Sequence, residues 1–172
     1  MKFIAFDIEL TCDRDVLNYP YQIIEVAAVY CSNGKIESTY QTYVKPTKPY
    51  EISAFCTELT GITAEHLSSA PAIVEVAGRL TDLIVKSKPD VVISWGKSDA
   101  NLLEAECTSV GFPSPLQGKN YQDFKKQYCK ARKIKRVGLK TALRISGVAA
   151  EGRPHSALDD AINLAKLYIT EN

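Results

Sequence analysis

The chain has 172 residues, 45% hydrophobic and 24% charged, with a formal net charge of +1 at pH 7. These values fit one domain with a substantial core, and with no apolar run of about 18 residues a membrane-spanning helix is not expected. Five cysteines, an odd number without CxxC spacing, argue against a disulfide framework or a zinc site, so a reducing, cytoplasmic location is expected, without a secretory leader.

Residues 1–11 read as the first strand. Phe3 to Phe6 are apolar, and Asp7 and Glu9 follow. Strand residues two apart share a face, so these carboxylates project side by side, about 6–7 Å apart. Their repulsion at the end of a buried strand needs compensation, and a divalent cation is the simplest candidate; an acidic strand end reaching water is the plain alternative. Residues 12–21 are polar and turn-like, with Asn18 and Pro20. Residues 22–31 read as a second strand covered on both faces. Ile24, Val26, Ala28 and Tyr30 lie on one side, and Ile23, Ala27 and Val29 on the other. Ser32-Asn33-Gly34 signals a hairpin. A third, alternating strand at 35–45 ends at Pro46 and completes an antiparallel meander.

Residues 50–70 read as irregular or short-helical, with one short helix at 63–67. Residues 72–87 form an amphipathic helix with Ile73, Val76, Leu80, Leu83 and Ile84 on one stripe. Val91-Val92-Ile93 is then a short buried strand after a crossover helix. Ser98 can cap the next helix, which runs to about 110. A loop at 111–118, a short edge strand at 120–123, a basic helix at 124–132 and a short helix at 138–145 follow. Between Lys119 and Arg144 lie ten of the chain's 21 Lys and Arg residues, with one acid, Asp123. This one-sided segment suits a polyanionic ligand or, equally, a solvated face. In the last helix, Ser156 and Asp159 have capping-box spacing.

Three further residues bear on Asp7 and Glu9. Asp99 sits at a helix start, where an acid also simply favours the helix dipole. Asp160 lies one turn before Leu164, on a half-buried face where an acid needs a partner. His155 stands five residues earlier, in the loop. Phe6-Asp7-Ile8-Glu9-Leu10-Thr11, the segment from Ser94 through Asp99 to Leu103, and His155-Ser156-Ala157-Leu158-Asp159-Asp160 together resemble the DEDDh branch of the 3′-to-5′ exonucleases. A narrower resemblance, to the exoribonucleases that trim histone mRNA and small interfering RNA, rests on four further stretches. These are Tyr21 to Glu25, Tyr43 to Pro46, Phe55 to Ile62 and Gly152 to His155; Gly138 to Leu143 also matches the pattern before the third motif. From its length, no accessory RNA-binding domain is expected beside the nuclease motifs.

The resemblance implies an α/β, ribonuclease-H-like fold: a mixed five-stranded sheet, with strands 1–3 antiparallel and two further strands parallel, flanked by helices. It implies that Asp7, Glu9, Asp99 and Asp160 hold two Mg²⁺ or Mn²⁺ ions. His155 would act as general base toward the attacking water, a task suited to an imidazole's ordinary pKa of about 6.5. Leu10 and Thr11 would meet the terminal nucleotides, as would Phe55 and Trp95, for which a place in the core is an equal alternative; Lys126, Arg132, Lys133 and Arg136 would meet the upstream phosphates. The expected partner is a single-stranded 3′ end, RNA before DNA, with no membrane. The competing readings are a proofreading-type 3′-to-5′ exodeoxyribonuclease and a catalytically silent nucleic-acid- or partner-binding module.

Overall fold

A computed structural model describes residues 1–16 and 19–172; Asn18 of the expected turn lies outside the described residues. The centre is a five-stranded sheet in the order β3-β2-β1-β4-β5. Strands β1 (Lys2–Leu10), β2 (Ile23–Ser32) and β3 (Lys35–Tyr43) form the antiparallel meander. Strands β4 (Val91–Ser94) and β5 (Tyr121–Asp123) run parallel to β1 on its other side. Seven helices were found among the described residues: α1 (Ala54–Thr60), α2 (Ala64–Ser68), α3 (Ile73–Ser87), α4 (Ser98–Ser109), α5 (Phe124–Ala131), α6 (Leu139–Ile145) and α7 (Ala157–Glu171). Among the described residues no helix is long and apolar enough to cross a membrane.

The period of two in β1 divides the core. Phe3 and Ala5, with Ala27 and Val29 of β2, pack against Ala161, Leu164 and Ala165 of α7. Ile4, Phe6 and Ile8, with Val26 and Ala28, pack against Val76, Ala77 and Leu80 of α3 and Leu103 of α4. Asp7 and Glu9 continue the odd-numbered set, so they emerge on the α7 side, where the apolar packing gives out.

Four local expectations change. The pairing register slips between Glu9 and Leu10, where Glu9 faces Glu25 but Leu10 faces Ile23. Ile23 therefore joins Val26 and Ala28, and Ile24 falls into a third cluster with Cys56, Ile62 and Leu67. A bulge of this kind breaks strict alternation without leaving a mark in local periodicity. Helix α1 emerges from a segment too short for a clear period; Ser53 caps it by accepting from the Cys56 N–H at 3.0 Å. Ser98 does not cap α4. Lys97 occupies the cap position, and Ser98 already lies in the first turn with its hydroxyl turned to Asp99 Oδ1 at 3.1 Å. Finally, Ser156 and Asp159 form no capping box: the Ser156 side chain makes no cap bond. Asp159 Oδ2 instead accepts from the Arg153 N–H at 2.9 Å, because the chain folds back over the helix start.

Candidate active site

Three elements deliver the acids. Strand β1 presents Asp7 and Glu9 on the α7 side of the sheet. The turn from β4 into α4 presents Asp99. That turn needs Gly96, whose φ of 117° is open to glycine alone. Its carbonyl accepts from the Ser94 hydroxyl at 2.5 Å and from the Tyr121 hydroxyl at 3.0 Å. The turn is thereby fastened to the sheet, and the first turn of α4 starts at a defined place. The loop before α7 presents His155, and the first turn of α7 presents Asp160. The His155 N–H donates to Asp160 Oδ2 at 3.0 Å, which ties the two residues together. His155 has a φ of 62°, a conformation uncommon outside glycine that often accompanies functional strain.

These groups converge. One ligand atom each from Glu9, His155 and Asp160 lie within 4.8 Å of one another. Glu9 is 9% exposed. Asp7, Asp99 and Asp160 are half-buried and His155 is exposed. Burial and mutual repulsion raise the carboxyl pKa values. Asp7 rises well above the usual range, first through burial and then through the charges of Asp99, Glu9 and Asp160. Glu9 is pushed from 4.5 to about 8 by burial and then by Asp160 and Glu25. Asp99 is pushed from 3.8 to about 7, mainly by burial, with Ser98 and Lys125 opposing. Asp160 is raised by burial, against the pull of the His155 N–H. Four carboxyl groups that hinder one another's ionisation offer the hard oxygen donors that a divalent cation takes.

The substrate-binding expectations divide. Leu10 and Phe55 are half-buried. Phe55 belongs to none of the core clusters, and the Arg14 guanidinium lies 4.7 Å from its ring centroid. Lys126, Lys133 and Arg136 are exposed and make no ion pair among the described residues. Three others are engaged elsewhere. The Thr11 hydroxyl is buried, donating to the Pro20 carbonyl at 3.0 Å and accepting from the Gln22 N–H at 2.9 Å. Trp95 packs edge-on against Phe124 and Tyr128, with its indole N–H on the Val137 carbonyl at 3.3 Å. Arg132 pairs with Glu171 at 2.5 Å and lies over the Tyr128 ring. Thr11 and Arg132 have packing and pairing roles that their residue types did not announce, and Trp95 packs against the core, the alternative open to it.

Sequence reasoning passed over three residues beside the acids: Glu25, Lys125 and Arg153. Glu25 lies opposite Glu9 across the β1–β2 pair. The stretches Tyr21 to Glu25 and Gly152 to His155, which carry Glu25 and Arg153, were the available signals. Lys125, in the first turn of α5, offsets the charge of Asp99. Arg153 offsets Glu9 and donates from its guanidinium to the Thr60 carbonyl. Gly61 leaves room for that contact: a Cβ there would run into the Arg153 guanidinium.

Residues 4–168 match the exonuclease family, RNase_T. The chain belongs to that family. This exonuclease-family chain is 33% identical to ERI1 exoribonuclease 2 of Danio rerio, an alignment covering 95% of the chain and 34% of the relative. It is 30% identical to ERI1 exoribonuclease 3 of Homo sapiens, over 98% of the chain and 52% of the relative. It thus spans about a third to a half of the length of these curated relatives. Among solved structures, the nuclease domain of 3′hExo, a DEDDh family member bound to rAMP, superposes with a TM-score of 0.88 at 27% identity. The match covers 98% of this chain and 90% of that domain. The ribonuclease-H-like DEDDh architecture expected from the sequence is therefore present.

Proposed function

We propose that the chain is a 3′-to-5′ exoribonuclease that shortens single-stranded 3′ ends and releases nucleoside 5′-monophosphates. The observation that carries this reading is the convergence of Asp7, Glu9, Asp99 and Asp160 with His155 at one end of the sheet. Asp7, Glu9, Asp99 and Asp160 would hold two Mg²⁺ or Mn²⁺ ions, which when bound offset the repulsion among the carboxylates and stabilise charge developing on the phosphodiester oxygens.

The protein's own groups supply the rest. His155 sits on an exposed loop, with its backbone N–H held by Asp160. Its ring is left to take a proton from the attacking water. Glu9 lies within the same 4.8 Å cluster, beside the imidazole. Leu10 and Phe55 offer apolar surface on which a terminal base stacks without regard to sequence. Lys126, Lys133 and Arg136 face solvent, where they attract the phosphates that follow. The ribose preference draws on the relatives named as exoribonucleases and on the adenosine ribonucleotide in the solved domain.

A denaturing gel of 3′- and 5′-labelled RNA and DNA of identical sequence, in Mg²⁺, Mn²⁺ or chelator, tests the reading. Stepwise loss from the 3′ end of RNA, abolished by chelator, is the expected result. RNA and DNA both left intact in manganese buffer overturn the enzymatic reading. Faster loss of DNA moves the activity to an exodeoxyribonuclease.

A further inference from the structure

Glu25 is 3% exposed and lies on a strand whose other positions on the α7 side, Ala27, Val29 and Cys31, are apolar and fully buried. Its charge is an unfavourable presence there. It faces Glu9 directly across the antiparallel pair, and it raises the carboxyl pKa values of Asp7, Glu9 and Asp160. Buried anions persist where hydrogen bonds satisfy them. Both Glu25 oxygens are satisfied: Oε1 accepts from the Gln41 side-chain amide, and Oε2 accepts from the Ala157 N–H at 3.0 Å. With both oxygens occupied by donors, Glu25 is poorly placed to join the metal-ligating set.

The second of those bonds reaches the start of α7. Ser156, at the cap position, contributes no side-chain cap. Asp159 and Asp160, in the first turn, direct their carboxylates back to the Arg153 and His155 N–H groups. The side-chain acceptor for the Ala157 N–H thus comes from the sheet, 132 residues away in sequence, where the partial positive charge of the helix start also favours it.

We propose that Glu25 is a positioning residue: its bond to the Ala157 N–H fastens the first turn of α7 to strand β2 and so sets His155 and Asp160 against Glu9. The inference rests on the exonuclease reading for its catalytic consequence, but the anchoring is measurable without turnover. Outer groups that orient ligands typically contribute about 10–100-fold in activity or metal affinity.

The test compares Glu25→Ala, Glu25→Gln and wild type by steady-state kinetics on a labelled RNA oligonucleotide and by amide hydrogen exchange at Ala157 in metal-free protein. Glu25→Gln retains a carbonyl acceptor for the Ala157 N–H, and the exposed Gln41 amide turns over to match it. Expected for Glu25→Ala is a kcat lowered about 30-fold, KM changed less than about threefold, and Ala157 exchange at least about tenfold faster. Glu25→Gln is expected to stay within about fivefold of wild-type kcat and to retain Ala157 protection. Wild-type kcat in the alanine variant overturns the proposal, as does an equal loss in both variants with Ala157 still protected. If Glu25→Ala does not fold, the glutamine variant decides: a kcat loss beyond about 30-fold with intact Ala157 protection refutes positioning. Should wild type itself cleave nothing, the exonuclease reading fails, while the exchange comparison still decides the anchor.

Discussion

The acidic cleft and the basic segment 119–144 are both charged regions, but their charges are held in different ways. In the cleft, four carboxyl groups are wholly or partly buried and crowd one another, with Arg153 and Lys125 as partial counter-charges. In the basic segment, Lys126, Lys133 and Arg136 stand in water, and Arg132 is already paired with Glu171. Charges in low dielectric interact strongly and resist salt; exposed charges are screened within about 8–10 Å. On the proposed reading, the cleft is an arrangement that cations would complete, and the segment is one that would steer a polyanion. Substitutions should have large, salt-insensitive effects in the first and small, salt-sensitive effects in the second.

The largest expected effect tests the cleft. Asp7→Asn should lower kcat by about 10³-fold or more, and the same change should raise the melting temperature of the metal-free protein by a few degrees, on the order of 1–2 kcal/mol. Thermal unfolding in chelator checks the second part; an unchanged or lower melting temperature breaks the picture of uncompensated repulsion. His155→Ala separates proton transfer from cation holding. Turnover should fall by about 10²–10⁴-fold, while the rise in melting temperature on adding Mn²⁺ persists. Wild-type turnover in that variant removes the base role.

The next effect is a pH dependence. Glu9 and Asp99 carry folded-state pKa values of about 8 and about 7, against ordinary values of 4.5 and 3.8. Between those limits the folded protein holds protons that the unfolded chain has released. The stabilisation is therefore full below the ordinary values and is lost as pH rises through the folded ones. Metal-free protein should lose on the order of 5 °C in melting temperature between pH 5 and pH 8.5. Millimolar Mg²⁺ or Mn²⁺ should raise it more at pH 8 than at pH 5.5. A flat profile in chelator contradicts the geometry. The smallest effect belongs to the basic segment. Lys133→Ala with Arg136→Ala should raise KM for a 10-nucleotide RNA several-fold at low salt and reduce the salt slope by about one for each phosphate no longer neutralised. An equal loss of kcat at every ionic strength would place these residues in the cleft's regime instead.

The order of the three motifs is legible in the residues, as is the common side of Asp7 and Glu9, because a strand's period of two is set by backbone geometry alone. The strands and most helices follow from hydrophobic period and turn residues. What local pattern does not carry is the partner of each polar group. Ser98 and Ser156 have cap chemistry, yet neither side chain caps a helix, and the acceptor at α7 is Glu25 from strand β2. Thr11, Trp95 and Arg132 have the chemistry of binding residues, and in the fold their polar groups meet Pro20, Val137 and Glu171.

The residues alone determine which acids and which histidine are available, and that Asp7 and Glu9 share one side of the first strand. Tertiary structure decides the rest. Pairing register sets Glu9 against Glu25, the seat of α7 brings Asp160 and His155 within reach of Glu9, and Arg153 crosses to Thr60. The physical reason is range. Periodicity and turn chemistry act over a few bonds, whereas the partner of a buried charge is chosen when segments more than a hundred residues apart exclude water together.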